Sequence, residues 1–464
     1  MGNGVAAKRS DRVGMDLLNG SIMKTLLAFS LPIMLANIVQ QLYSMVDLAV
    51  IGQYLGSVGT VGVSTGSEVM DFLTPVATGF AAAGQVYISQ LYGAHDEAKL
   101  KQAIGTLITS MLVMSVVFLV CALGVRTFIV DALNCPQEAR GQALSYLCIS
   151  VLGLPFVFGY NTICSILRGI GESKRPLFFV LVAASVNVVL DILFVAVFKW
   201  EAAGTALATV FSQIGSFAAA FWFLYKRRDK FGFELKLSYF RIDGETMKIM
   251  VKLGIPHILQ SLSVRFSLLW CQANVNSFGL VASATNSIGN KMQKICTVFV
   301  AGVNTGCGAM IGQNLGAKKH DRVKKVVICT LIMTCTIAAI GSLFALIIPK
   351  QMFRIFTTDE QVLEAGVLYM QILCITYFSA AFCGSFQSLV TGCGFASFGF
   401  VLGMLDGVVC RIGLSVLYAY VLNMGVTGFF LGNATARVIP GILGCAYFLS
   451  GKWKTRKLLA EGKK

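Results

Sequence analysis

Four residues in this chain have the types and spacing to hold a cation away from water: Asp47, Asn187, Asp191 and Thr209. Each falls inside a long apolar run. An acid at a membrane-helix centre costs about 2.5–3.5 kcal/mol to insert, so such acids default to a functional role. Asn187 and Asp191 are four apart and therefore share one face of a helix. Two carboxylates with an amide and a hydroxyl supply hard oxygen ligands, and Na⁺ is the metal ion such a set suits. The same pair can instead hold a proton, because two close carboxylates in a low-dielectric setting resist being ionised together. A hydrogen-bonded cluster with only a structural task is the third reading.

Other buried polar residues are less specific. Glu68 and Asp71, three apart in the second apolar run, either line a cavity or mark the outer end of that helix, where water makes charge cheap. Tyr43 lies one turn before Asp47, and Asn161 is a polar residue in the fourth run. Each reads equally as a cavity residue or as a satisfied packing residue. Asp406 and Arg411 are five apart in the eleventh run, too far around an ideal α-turn to pair. Asp406 is thus a cavity candidate or a charge neutralised by one of the intramembrane arginines, Arg265, Arg411 or Arg437. His95 and His320 fall in polar loops, and His257 follows Pro256 as a helix residue. The cysteines include no C-x-x-C and read as small packing residues.

The elements that must carry these residues are membrane helices. Of 464 residues 56% are hydrophobic and 13% charged, and the mean hydropathy is +0.74. A soluble domain cannot hide so much apolar surface. The apolar residues come in twelve blocks, roughly 25–51, 60–92, 103–125, 143–167, 177–198, 203–225, 249–275, 280–313, 325–349, 366–390, 398–421 and 427–450. A spanning helix needs about 20 apolar residues, whereas a barrel strand needs about ten. The expected fold is an all-α polytopic membrane protein. The first block is too long, and too free of a small-residue cleavage site, for a removable signal peptide. With both termini cytoplasmic, 28 of the 38 Lys and Arg face the cytoplasm and 7 face outward. That bias follows the positive-inside rule, so the net charge of +16 reflects topology and lipid contact. Nucleic acid is not an expected partner.

The second half repeats the first at an offset of about 223 residues. Phe29-Ser-Leu-Pro32 matches Leu253-Gly-Ile-Pro256, and Tyr54-Leu-Gly56 matches Ser277-Phe-Gly279. Ser89-Gln-Leu-Tyr-Gly-Ala94 matches Gly312-Gln-Asn-Leu-Gly-Ala317, and Ser165 to Gly171 matches Ser388 to Gly394. Ala203-Gly-Thr205 matches Thr427-Gly-Phe429. Six helices per repeat return the chain to the same side, so the halves are parallel repeats of the kind used for alternating access. The expected organisation is a cytoplasmic tail 1–24, an N-lobe 25–225, a cytoplasmic linker 226–248, a C-lobe 249–450 and a cytoplasmic tail 451–464. In the repeat, Asp47 and Asp191 correspond to Cys271 and approximately Leu414. A cation site in the second half is therefore unsupported.

Taken in order, these residues resemble the multidrug and toxic compound extrusion (MATE) family of bacterial or archaeal type, over nearly the whole chain. The matching pieces include Leu31-Pro32 with Val46-Asp47, Ser89-Gln90 with Gly93-Ala94, and Arg168-Gly-x-Gly171 with Lys174-x-Pro176. Asn187-x-x-x-Asp191, Gly204 to Thr209, Gly254-Ile-Pro256, Gly312-Gln313, Phe356-Thr-x-Asp359 and Lys452-Trp453 complete them. The resemblance implies efflux of amphiphilic, mostly cationic compounds in exchange for H⁺ or Na⁺. It places the coupling ion at Asp47, Asn187, Asp191 and Thr209, with Tyr43 and Asn161 beside that pocket. It implies no enzyme activity and no cofactor, a plasma-membrane location, contact with lipid, and a monomer. Some relatives carry coupling acids on the seventh and tenth helices, and this chain has none there. A flippase of a lipid-linked precursor is the alternative, yet it would want a cationic cavity, whereas five acids stand here against three arginines. A receptor or assembly protein without transport fits the repeat and the buried acids poorly. The chain has no phosphate-binding P-loop, which excludes direct ATP drive.

Overall fold

A computed structural model describes residues 14–227, 240–456 and 458–459. Twelve long helical segments follow one another in these residues, and no strand forms among them. In the first half they are α1 (Ile22–Tyr54), α2 (Gly56–Ala94), α3 (Glu97–Gly124), α4 (Gln137–Leu152 with Leu154–Gly169), α5 (Lys174–Val197) and α6 (Glu201–Lys226). In the second half they are α7 (Gly244–Asn276), α8 (Leu280–Gly316), α9 (His320–Ile347), α10 (Glu360–Gly392), α11 (Ala396–Val421) and α12 (Val426–Leu449). Each overlaps one of the twelve apolar blocks and overruns most of them by a few polar residues. The overrun has a local cause, because helices start where a side chain can satisfy orphan amides. Asp96 accepts from the Lys99 amide at 3.0 Å to cap α3, and Asp359 accepts from the Gln361 amide at 2.9 Å to cap α10. The Phe356-Thr-x-Asp359 motif is thus a helix start.

Nine of these helices are individually long and apolar enough to span a membrane, and the two parts of α4, bent by 44° at Gly153, are so only when taken together. The other two, α2 and α7, carry Glu68 and Asp71 or Arg265 within their length. The apolar surface faces outward, as lipid requires. On α3 the exposed side chains are Leu112, Val113, Val116, Val117 and Val120, while Ser110 and Ser115 are buried.

The chain folds as two compact units. Among the described residues, one comprises 14–16, 35–227 and 240–254, and the other comprises 17–34, 255–456 and 458–459. Pro32 of α1 and Pro256 of α7 both lie within two residues of a crossover between units. Of the expected linker 226–248, residues 228–239 lie outside the described residues, as do 1–13 of the N-terminal tail and 457 and 460–464 of the C-terminal tail. Where the described chain resumes in the first unit, Thr106 and Thr109 of α3 donate to the carbonyls of Arg241 and Phe240 at 3.4 and 3.0 Å. In the second unit Lys319 Nζ and Arg322 Nη1 donate to the Leu18 and Gly20 carbonyls at 3.0 and 2.8 Å. The N-terminal segment is thereby pinned to the start of α9.

The repeat is legible in the backbone. Phe198 donates to Leu193 and Trp200 to Phe194, and 224 residues later Leu422 donates to Leu417 and Met424 to Tyr418. Lys199 and Glu201 have positive φ, as do Asn423 and Gly425 at the same offset. In each copy a glycine lets the next helix approach: a Cβ on Gly204 would meet Phe194, and one on Gly428 would meet Tyr418 and Ala419.

Candidate cation site

Asp47 and Asp191 meet in the first unit. Asp47 is on α1, and Asp191 is the last α-helical residue of α5 before a π-helical stretch, Ile192–Val197. Their carboxylates lie within side-chain hydrogen-bonding reach of each other. Asp191 and Asn187 are 0% and 1% exposed, on one face of α5 as their spacing requires. Neither Asp191 oxygen, nor Asp47 Oδ1, nor either polar atom of the Asn187 amide has a hydrogen-bond partner among the described residues. Buried polar atoms are seldom left so, and such a group calls for an explanation. Two carboxylates side by side without a donor are an incomplete set. A proton shared between them, or a cation accepted from both with the Asn187 carbonyl oxygen, completes it.

The surroundings are apolar on one side and aromatic on another. Ile51, one turn past Asp47, packs with Val63 of α2, Tyr146 of α4 and Ala202 and Ala206 of α6. Tyr146 is buried, and its phenol lies in the electrostatic field of Asp47, Asp71 and Asp191. Sequence reasoning missed Tyr146 because its place near the acids is set by packing of α4 against α2 and α6, which spacing along the chain does not show. Gly66 makes room for it, since a Cβ there would stand 2.5 Å from the Tyr146 ring.

The remaining candidates fall as follows. Tyr43 is half-buried and in the field of Asp47. Thr209 is half-buried on α6, the neighbour of α5. Asn161 spends its amide N–H on the Val157 carbonyl at 2.8 Å, one turn back in α4. Glu68 is half-buried and Asp71 exposed. Glu68 is twelve residues into α2, roughly 18 Å from its start at 1.5 Å per residue, so it stands well inside the helix.

Asp406 is ion-paired in the second unit. Arg411 Nη2 donates to its Oδ1 at 2.7 Å, and Arg437 Nε to its Oδ2 at 3.4 Å. The five-residue spacing that forbids this pair in an ideal α-helix is admitted here because Leu405–Cys410 is a π-helix. The wider turn brings i and i+5 onto one face. Arg411 also donates to Asn433 Oδ1, and Asn433 Nδ2 to Gln293 Oε1 at 3.4 Å. The repeat partner of Asp191 is corrected as well: the backbone register of 224 gives Ser415, not Leu414. Cys271 Sγ lies 3.8 Å from Ser415 Oγ, so the contact made by the acids in the first unit recurs between neutral residues in the second.

A sequence signature described as MatE matches residues 32–193 and 256–438. The chain is 26% identical to the probable multidrug resistance protein YpnP of Bacillus subtilis, covering 96% of this chain and 99% of that one. It is 24% identical to the multidrug export protein MepA of Staphylococcus aureus, covering 88% and 89%. In fold it is similar to a crystal structure of MATE in the straight conformation, with TM-score 0.89 at 19% identity over 96% of this chain and 99% of that one. A structure titled as the outward-facing conformation of a multidrug resistance MATE family transporter gives TM-score 0.89 at 18% identity and the same coverage.

Proposed function

Because the chain belongs to the MATE family, its two halves matching the signature in turn, we propose that it exports amphiphilic, mostly cationic organic compounds in exchange for H⁺ or Na⁺. The names of its relatives, a multidrug resistance protein and a multidrug export protein, support efflux as the direction of transport. Alternating access of the two repeats is the mode that the parallel topology supports. The excess of Lys and Arg on alternate loops supports a plasma-membrane location with both termini cytoplasmic. Like the family, the chain calls for no cofactor beyond the coupling ion.

The observation that carries this reading is the donorless pair Asp47 and Asp191. Loaded with a proton or with Na⁺, the pair is compensated and the helices around it can pack. Unloaded, the two carboxylates repel, and a cationic compound can replace the missing charge. Exchange then follows from competition for one negative site, and each ligand weakens the other by the same factor. Asn187 and Thr209 supply neutral oxygens to whichever cation is held.

The test is transport in proteoliposomes under an imposed pH gradient or an imposed Na⁺ gradient. One of the two gradients is expected to drive uptake of a cationic dye into inside-out vesicles. Dye movement indifferent to both gradients would overturn the antiport reading.

A further inference from the structure

The acid pair has a charge-inverted counterpart. At the register of 224 residues that the backbone hydrogen bonds establish, Asp47, Asn187, Asp191 and Thr209 correspond to Cys271, Arg411, Ser415 and Asn433. The second set is assembled as well: Cys271 lies against Ser415, and Arg411 donates to Asn433. Where the first unit holds two carboxylates and an amide, the second holds a guanidinium among neutral groups.

The charge at this place does not cancel. Asp406 is shared by Arg411 and Arg437, so one carboxylate stands against two guanidinium groups. The side chain of Arg411 is 1% exposed, and its Nε has no acceptor among the described residues. Arg437 gives Asp406 its Nε at 3.4 Å, which leaves the outer edge of its guanidinium turned away from that carboxylate. Its side chain is 25% exposed, midway along α12. An arginine at that depth pairs with other groups in the bundle interior or lines a water-filled cavity, because hydrocarbon will not accept it. The cluster therefore carries one surplus positive charge on a buried guanidinium and a partly exposed one.

We propose that the second unit contains an anion site centred on Arg411 and Arg437, taking a small monoanionic group: the carboxylate of a transported compound or a chloride ion. A planar guanidinium edge suits a carboxylate with two parallel N–H donors, and it also accepts a halide. If the occupant is a carboxylate of the cargo, the transporter takes amphoteric compounds as well as cations. The site does not depend on the antiport reading, since binding is read at equilibrium without transport.

The experiment follows the apparent melting temperature of detergent-purified full-length protein in a sodium sulfate buffer, titrated separately with sodium benzoate, sodium chloride and neutral benzamide. Saturable stabilisation by benzoate or chloride is expected, and none by benzamide. Benzoate alone identifies the carboxylate of a cargo as the source, and chloride alone identifies the inorganic ion. Arg437→Gln is expected to weaken the effective anion at least tenfold, and Arg437→Lys to keep chloride while weakening benzoate, because an ammonium lacks the two parallel N–H donors. Asp406→Asn, which adds a further unit of positive charge to the site, is expected to melt lower and to be raised more by the same anion than the wild type is. Stabilisation that never saturates, or that is equal in wild type, Arg437→Gln and Asp406→Asn, overturns the proposal.

Discussion

Neutralising one acid in each unit should have opposite effects on stability. Asp406 receives hydrogen bonds from two arginines at 2.7 and 3.4 Å, one of them fully buried. Removing one partner of a buried ion pair costs about 3–5 kcal/mol, because the surviving charge is left uncompensated. Asn at 406 keeps one acceptor for Arg411, so the lower end applies, about 3 kcal/mol. For a unit of roughly 200 residues, each kcal/mol shifts the melting temperature by about 2–4 °C. Asp406→Asn should therefore melt about 6–12 °C below the wild type. Asp47→Asn removes a charge from a place with no donor and adds an amide N–H within reach of the orphaned Asp191 oxygens. A hydrogen bond gained there contributes about 0.5–1.5 kcal/mol, so this variant should melt at or a few degrees above the wild type. The assay is the temperature at which the monodisperse peak of detergent-solubilised protein halves at pH 7. Asp406→Asn melting with the wild type, or Asp47→Asn falling as far as Asp406→Asn, refutes the assignment of one compensated and one uncompensated acid.

Three further outcomes are expected. Asp47→Asn and Asp191→Asn should each abolish dye efflux from cells while expression stays near normal, and Asp406→Asn should lower efflux less per folded molecule; wild-type efflux in the first two removes the coupling site. Gly66→Leu should displace the Tyr146 ring from its seat on α2, costing about 1–3 kcal/mol of stability through overpacking and reducing efflux, whereas Gly141→Leu, where a Cβ meets nothing within 4 Å, should do neither. Lys319→Ala with Arg322→Ala should loosen Leu18–Gly20, while Asn314 still donates to the Leu17 carbonyl at 3.1 Å, so that limited proteolysis clips the segment faster than in the wild type; equal clipping rates would show that these two side chains do not hold it.

Much of the architecture is legible along the chain. Twelve apolar blocks can satisfy their backbones in lipid only as helices, so the class and number of segments follow from length and composition alone. The Asn187–Asp191 face follows from helical spacing, and the repeat from motifs in order. Three things needed the tertiary structure. Asp406 pairs with Arg411 because a π-helical stretch resets the face on which residues five apart meet. Tyr146 lies in the field of the acids because Gly66 of α2 leaves its ring a seat. Cys271 is matched to Ser415 because the offset is 224 at the end of α5, as the backbone hydrogen bonds there show, and the Sγ–Oγ distance of 3.8 Å shows that the two side chains meet. Sequence patterning determines which residues must be buried in this protein, since burial in lipid is set by composition over a helix length. That Asp406 meets Arg411 was decided by a local departure from regular helix, which composition does not record.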